Sequence, residues 1–224
     1  MTTLLLIRHG ITEAVGQSLT GRLADTPLSE PGRKEVRRLS MALVHLGLEA
    51  IYTSPMRRAR ETAEIIGQPC GLQPRVVNGL TDVDFGSWTG RLLSELRNDE
   101  AFRAFNRHRS LTRIPGGEHL IQVQDRMVRE CLAMVDLHGG RTVAMVGHLD
   151  PLRLLLGYFL GVTVDATARL EIAPASLTAL SLTPEGACLL LANWRAGGLE
   201  LDRGSQRVDL PRGPQEGVGR GSAP

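Results

Sequence analysis

Short apolar runs that alternate with helix-like segments restrict the fold of this chain more than any other sequence feature. Uninterrupted apolar runs of this length are typical of strands that are buried on both faces, and they lie near residues 3–8, 50–53 and 141–147. Between and after them come segments with capping residues or apolar side chains at helical spacing, near residues 29–46, 54–66, 118–138 and 150–160. Parallel strands need crossovers of this kind. The sequence therefore predicts an α/β fold, a three-layer sandwich whose mainly parallel sheet is flanked by helices.

Weaker signals complete the predicted order of elements. Further strands are expected near residues 74–78, 170–172, 177–182 and 188–192, and one or two helices near residues 92–107. Loops are expected over residues 10–28 and 80–90. Residues 1–202 are predicted to form a single domain. From residue 203 the chain is rich in Gly, Pro and Arg, which predicts a disordered tail over residues 203–224.

Charge and cysteine content exclude several classes of function. The formal net charge is only +2 and aromatic residues make up 4% of the chain, so no nucleic-acid partner is expected. Three cysteines give neither a disulfide framework nor the spacing of a metal site. The N-terminus lacks the cationic region of a signal peptide, and no apolar run is long enough to cross a membrane. We therefore expect a cytoplasmic protein without a membrane partner.

Unusual polar residues follow three of the predicted strands. Arg8 ends the first and His9 follows it, Arg58 lies five residues after the second ends at Thr53, and His148 follows the third. In open α/β sheets, ligands bind beyond the carboxyl ends of the strands. Two of these strands lead directly into helix N-termini, which attract anions. The sequence therefore predicts that two histidines and two arginines gather around one anion.

This set of side chains suits phosphoryl transfer. The migrating group spreads negative charge over its equatorial oxygens, which fixed cations stabilise. An imidazole can attack phosphorus and divide the reaction into two easier steps. Its second nitrogen must donate to an acceptor so that the attacking nitrogen keeps its lone pair. A separate acid must protonate the leaving oxygen.

Five ordered motifs carry a resemblance to a known family. They are Leu6-Ile-Arg-His-Gly10 with Thr12, Ser54-Pro-Met-Arg-Arg-Ala59 with Thr62-Ala63, Asp84-Phe-Gly-Ser-Trp88 with Gly90, Pro115-Gly-Gly-Glu118, and Val146-Gly-His148. In this order and at these distances, the chain between about residues 4 and 194 resembles the histidine phosphatase superfamily, in its phosphoglycerate-mutase-like branch 1. The resemblance implies that family's α/β fold and a phosphoryl-transfer activity.

The resemblance also implies a role for each matching residue. His9 is the implied phosphoacceptor, and the implied ligands of the phosphoryl oxygens are Arg8, Arg58, His148 and, as a weaker candidate, Thr12. The weaker candidates for substrate contact are Gly21 and Arg22. The implied proton donor is Asp82, three residues before the Phe-Gly pair. No metal or other cofactor is implied, since arginine and histidine supply the positive charge.

The chain departs from the family pattern at three positions. The family usually has Glu where this chain has Asp82, and Asp84 is an alternative donor or a group that raises the pKa of Asp82. Ile11 stands where Glu is frequent, and Val15 stands where Asn often contacts phosphate. These departures bear on rate and substrate range rather than on the covalent step.

Three functional hypotheses follow. The first is a phosphomonoesterase that hydrolyses a small phosphorylated metabolite and also binds inorganic phosphate. The second is a phosphoglycerate mutase, which needs a long segment to cover a retained bisphosphate; the stretch from Gly90 to Gly116 is short, which favours hydrolysis. The third is a catalytically silent module that binds a phosphorylated ligand. A homodimer through a sheet edge or a helix is compatible with each.

Overall fold

The computed structural model describes residues 1–197, which form one six-stranded sheet with helices on both faces. The strands are β1 (Thr2–Arg8), β2 (Leu48–Thr53), β3 (Arg75–Val76), β4 (Thr142–Gly147), β5 (Leu177–Thr183) and β6 (Gly186–Trp194). Their order across the sheet is β3-β2-β4-β1-β5-β6. The four strands from β3 to β1 are parallel, whereas β5 and β6 are antiparallel to their neighbours. The prediction of an α/β sandwich with a mainly parallel sheet is confirmed; the predicted tail, residues 203–224, lies outside the described residues.

Within the described part of the chain, six α-helices connect and cover the strands. They are α1 (Glu30–Leu43), α2 (Arg57–Cys70), α3 (Leu93–Leu96), α4 (Glu100–Arg107), α5 (Leu120–Leu137) and α6 (Leu149–Leu160). Short 3₁₀ turns occur at Val44–Leu46, Asn78–Leu80, Gly86–Trp88 and Val164–Arg169. Within residues 1–197, every helix is too short or too polar to cross a lipid bilayer.

The central strand β1 shows why its apolar run is uninterrupted. Leu4 and Leu6 belong to the core cluster that contains residues of α5 and α6. Leu5 and Ile7 belong to the opposite cluster, which contains residues of α1 and α2. Successive strand residues point to opposite faces, so a strand covered on both sides must be apolar at every position. Burial on both faces holds β1 in place, and with it the position of Arg8, its last residue, and of His9, which follows it.

The start of α1 is anchored to the loop that follows His9. Ser29 caps the helix, because its Oγ accepts a hydrogen bond from the Gly32 amide at 3.2 Å. The Ser29 amide and hydroxyl both donate to the carbonyl oxygen of Ile11, at 2.9 and 3.1 Å. A Cβ on Gly32 would lie 2.2 Å from the same Ile11 oxygen. The helix can therefore approach this loop only because residue 32 has no side chain.

Replacing Gly32 with alanine is expected to lower the free energy of unfolding by about 1–3 kcal/mol, the usual cost of overpacking. Alanine is the better helix former, so any destabilisation reports the clash with the Ile11 carbonyl rather than helix propensity. Urea denaturation measures the change. Gly139→Ala is the matched control, because a Cβ there meets nothing within 4 Å. Equal losses in the two variants would contradict the close approach.

Two sequence-based details differ from the structure. The predicted strand at residues 170–172 is wrong: the carbonyl oxygens of Leu170 and Ile172 accept hydrogen bonds from arginine side chains, and Pro174 has no amide to donate. The second predicted helix begins at Arg57 rather than at Ser54. The Ser54 hydroxyl instead accepts from the Met56 amide at 3.2 Å, which closes a turn just before α2.

Candidate active site

The two histidines predicted to meet are neighbours at one edge of the sheet. β1 and β4 are adjacent and parallel, with Arg8 in register with Gly147, so His9 and His148 leave the sheet side by side. Their ring centroids are 5.3 Å apart. The two residues are 5% and 1% exposed. Parallel strand pairing therefore brings together two imidazoles that are 139 positions apart in the chain.

The hydrogen bonds of His9 leave one ring nitrogen free to act as a nucleophile. Nδ1 lies 2.8 Å from the carbonyl oxygen of Gly10. A carbonyl oxygen only accepts, so Nδ1 carries the proton and Nε2 keeps its lone pair. Burial, reinforced by Arg58 and Arg8, holds the pKa of His9 well below its usual value. His9 is therefore neutral around pH 7, as a nucleophile requires.

The guanidinium of Arg58 is completely buried and tightly held. Nη2 donates to the carbonyl oxygen of Gly21 at 2.6 Å and to Oδ2 of Asp82 at 2.9 Å, while Nη1 donates to the carbonyl oxygen of Leu23 at 3.2 Å. Its backbone carbonyl accepts from Thr62, whose hydroxyl oxygen accepts from the Gly10 amide. The first turn of α2 is thus connected directly to the His9 loop.

His148 contacts both a hydroxyl and a carboxyl group. Its Nε2 is 2.7 Å from the hydroxyl oxygen of Ser54, the residue after β2, and its Nδ1 is 3.5 Å from Oδ2 of Asp82. Burial lowers the pKa of His148 well below its usual value, and the positive charge of Arg58 lowers it further. Ser54 is a contact that the sequence did not identify, although it belongs to the motif that carries Arg58.

Arg8 is fixed by the segment that was wrongly predicted as a strand. Its Nη1 donates to the carbonyl oxygen of Ile172 at 2.7 Å. Burial, together with the positive charge of Arg153, lowers the pKa of Arg8 to about 10. At neutral pH the guanidinium therefore keeps its charge.

Three buried nitrogens at this site have no hydrogen-bond partner among the described residues: Nε of Arg8, Nε of Arg58 and Nδ1 of His148. A buried polar group without a partner costs about 1–3 kcal/mol, and more when it is charged. Polar groups left unpaired around a reactive side chain indicate a place for a ligand. Two guanidinium groups beside a neutral imidazole select an oxyanion.

Asp82, and not Asp84, lies within this group. Its Oδ1 accepts from the Val83 amide at 2.8 Å, and its Oδ2 faces Arg58 and His148. Burial raises the pKa of Asp82, while Arg58 opposes the rise. The Asp84 side chain is 38% exposed and lies 3.5 Å from Arg22. Of the two carboxyl groups, only that of Asp82 contacts Arg58 and His148.

A network that the sequence did not predict holds the backbone of Asp82. Arg126 on α5 donates to the carbonyl oxygens of Gly79, Thr81 and Asp82, at 2.7, 2.7 and 3.0 Å. Glu118 contacts Arg126 and accepts from the Asp84 amide at 3.0 Å. Glu118 was visible as part of a motif, whereas nothing in the local sequence distinguished Arg126.

The weaker candidates have structural contacts of their own. The Gly21 carbonyl binds Arg58, and a Cβ on Gly21 would approach Phe85 to 2.9 Å. The Arg22 guanidinium contacts Glu118 at 2.7 Å and donates to the Asp82 carbonyl at 3.2 Å. Thr12 is buried in the loop after His9. Substrate or phosphate contact by these three residues stays a prediction.

Comparisons with known proteins identify the family of this chain. The family model of the histidine phosphatase superfamily (branch 1) matches residues 4–195. Phosphoserine phosphatase 1 of Hydrogenobacter thermophilus is 30% identical over 167 residues, which are 74% of this chain and 79% of the relative. A probable phosphoglycerate mutase, GpmB of Cronobacter sakazakii, is 31% identical over 180 residues, 80% of this chain and 84% of the relative.

Solved structures show the same fold. YhfR of Bacillus stearothermophilus superposes with a TM-score of 0.81 at 31% identity, covering 86% of this chain and 97% of that protein.

Mycobacterial relatives, from Mycobacterium bovis and Mycobacterium tuberculosis, are 32% identical over 189 residues, and the chain spans about half of their length, 52%. The family model and the shared fold agree, and the chain belongs to branch 1 of the histidine phosphatase superfamily.

Proposed function

We propose that this chain is a phosphomonoesterase that hydrolyses a small phosphorylated metabolite through a phosphohistidine on His9, without a metal ion. The observation that carries the proposal is a set of buried nitrogens, on Arg8, Arg58 and His148, that have no hydrogen-bond partner within residues 1–197 and lie beside the neutral ring of His9. Such an arrangement stabilises a transferring phosphoryl group by positioning and charge. A cytoplasmic location is expected from the sequence.

In the first step, Nε2 of His9 attacks phosphorus and the bond from phosphorus to the ester oxygen breaks. Asp82 gives its proton to that oxygen, so the alcohol leaves neutral. Arg8, Arg58 and His148 donate to the phosphoryl oxygens. In the second step, water attacks phosphorus, its proton passes to the Asp82 carboxylate, and the phosphorus–nitrogen bond breaks. Inorganic phosphate leaves, and His9 regains its lone pair.

Replacing Asp82 with asparagine is expected to lower kcat/KM for an alkyl phosphate such as glycerol 3-phosphate by about 10²–10⁴-fold, the usual contribution of a general acid. The loss for p-nitrophenyl phosphate should be much smaller, because p-nitrophenolate leaves without a proton. Steady-state kinetics on the two substrates measures the difference. Asp84→Asn is the matched control and should show no such dependence on the leaving group.

The pH dependence of kcat/KM gives a second test of Asp82 as the proton donor. In the wild type, kcat/KM should fall with rising pH as Asp82 loses its proton, and burial raises the pKa of Asp82, which moves this limb upward. It should also fall at low pH, where His9 becomes protonated; the lowered pKa of His9 moves that limb downward. Asp82→Asn should remove the alkaline limb. An unchanged alkaline limb, or equal losses on both substrates, would exclude Asp82 as the donor.

Mutase activity is the second candidate, because the relatives include a probable phosphoglycerate mutase as well as a phosphoserine phosphatase. Incubation with 3-phosphoglycerate separates the two: hydrolysis releases inorganic phosphate, whereas a mutase forms 2-phosphoglycerate. We expect phosphate release to dominate. Isomerisation with little phosphate release would reverse the assignment, and tight binding without either product would favour a silent binding module.

A further inference from the structure

Arg126, in the second turn of α5, uses every donor of its guanidinium group within the chain. Its Nη1 donates to the carbonyl oxygens of Gly79 and Thr81, both at 2.7 Å. Its Nη2 donates to the carbonyl oxygen of Asp82 at 3.0 Å and to Oε2 of Glu118 at 3.3 Å, and its Nε donates to Oε1 of Glu118 at 3.3 Å. A guanidinium has five N–H donors, so these contacts leave none for a ligand. The arrangement therefore suits holding the backbone rather than binding substrate.

The three carbonyl groups belong to the segment that leads into the proton donor. Residues 81–85 lie in neither a helix nor a strand, so their backbone groups need partners elsewhere in the chain. The Asp82 carbonyl oxygen also accepts from Nε of Arg22 at 3.2 Å. The Arg22 side chain is 36% exposed, however, against 16% for Arg126. Arg126 is thus the better buried of the two arginines that hold the Asp82 backbone.

The position of the Asp82 backbone determines where its carboxyl group lies. Oδ1 accepts from the Val83 amide at 2.8 Å, and Oδ2 lies 2.9 Å from Nη2 of Arg58 and 3.5 Å from Nδ1 of His148. An aspartate side chain has only two rotatable bonds, and one methylene fewer than glutamate, so it has little reach with which to follow a displaced backbone. Misplacing a catalytic group by about 1 Å can cost about 10²-fold in rate.

We propose that Arg126 is a positioning residue for the proton donor, which acts on the reaction through Asp82; this inference rests on the proposed function. Its loss slows protonation of the leaving oxygen rather than attack on phosphorus. Glu118 takes part in the same role, because it binds Arg126 through both carboxylate oxygens and accepts from the Asp84 amide at 3.0 Å. The pair of Arg126 and Glu118 therefore binds the backbone on both sides of the donor.

Replacing Arg126 with lysine keeps the positive charge but not the planar fork that reaches three carbonyl groups. We expect kcat/KM for glycerol 3-phosphate to fall by at least about 30-fold, because its leaving oxygen needs the proton. For p-nitrophenyl phosphate, whose leaving group needs none, the fall should be less than about 3-fold. Arg129→Lys is the matched control on the same helix, where the side chain is 72% exposed, and should leave both values unchanged.

A double-mutant cycle shows whether Arg126 acts through the donor. Residues that act as one unit have non-additive effects. In a chain that already carries Asp82→Asn, adding Arg126→Lys should lower kcat/KM for glycerol 3-phosphate by less than about 3-fold. The full loss in both backgrounds, or equal losses on the two substrates, would overturn the proposal. If the lysine variant does not fold, Glu118→Gln carries the same test, since it weakens the hold on Arg126 and should show the same dependence on the leaving group.

Crystal structures of the wild type and the variant test the inference without turnover. We expect the Asp82 carboxyl group to lose its contacts with Arg58 and His148 in Arg126→Lys, or to occupy more than one position. A carboxyl group that keeps its wild-type place would overturn the proposal. If the carboxyl group is displaced but the wild type releases no phosphate from either substrate, the positioning role stands and the proposed hydrolysis fails.

Discussion

Replacing His9 with alanine is expected to lower phosphate release by about 10⁴-fold or more, because the proposed covalent intermediate forms on this side chain. Nδ1 of His9 is held by the Gly10 carbonyl, so Nε2 is the nitrogen available for attack. The variant should also lose the acid-labile, base-stable phosphate that the wild type acquires in a substrate pulse. Steady-state kinetics with p-nitrophenyl phosphate and a phosphate-incorporation assay measure the two effects. The affinity for inorganic phosphate should persist, since Arg8, Arg58 and His148 are unchanged.

His45→Ala is the matched control, because His45 is exposed at the end of the first helical region. It should keep both the turnover and the phosphorylated residue. Full phosphate incorporation in His9→Ala, or turnover equal to that of His45→Ala, would contradict the assignment of His9 as the nucleophile.

Replacing Arg58 with alanine is expected to reduce both stability and activity. The change leaves the buried carboxyl group of Asp82 and the carbonyl oxygen of Gly21 without their charged donor. Removing one partner of a buried ion pair costs about 3–5 kcal/mol in the free energy of unfolding. Loss of one donor to the transferring group should also lower kcat by about 10²–10³-fold. Urea denaturation and kinetics with p-nitrophenyl phosphate measure the two losses.

Arg60 provides the comparison, since it lies two residues further along α2 but is exposed. Arg60→Ala should change the free energy of unfolding by no more than about 0.5 kcal/mol, as is usual for surface positions. If Arg58→Ala were as stable and as active as Arg60→Ala, the buried network around Asp82 would not exist as described.

The features of the fold and the site that the sequence could predict are those with a local pattern. The apolar run of β1 predicted a strand buried on both faces, and parallel pairing of β1 with β4 then placed His9 beside His148. Ser29 and Pro31 marked the start of α1. These features depend on periodicity, capping and the residues at strand ends, which are all written in short stretches of sequence. That β1 pairs with β4 is seen only in the folded chain.

Other parts depend on contacts between distant segments and leave no local pattern. Residues 170–172 have the composition of a strand, but their carbonyl oxygens bind Arg8 and Arg153 instead of a neighbouring strand. Arg126 and Arg109 resemble surface arginines in sequence, yet both are held by acceptors tens of residues away. Arg126 matters because it binds three carbonyl oxygens around Asp82, and Arg109 is buried against Asp150. Only the folded chain reveals these contacts.

The central claim is that Arg8, His9, Arg58 and His148 surround a single oxyanion. A crystal structure with orthovanadate bound tests it directly. We expect vanadium to be bonded to Nε2 of His9, with its oxygens contacted by Nε of Arg8, Nε of Arg58 and a ring nitrogen of His148. Vanadate bound away from His9, or a guanidinium of Arg58 directed into solvent, would contradict the account.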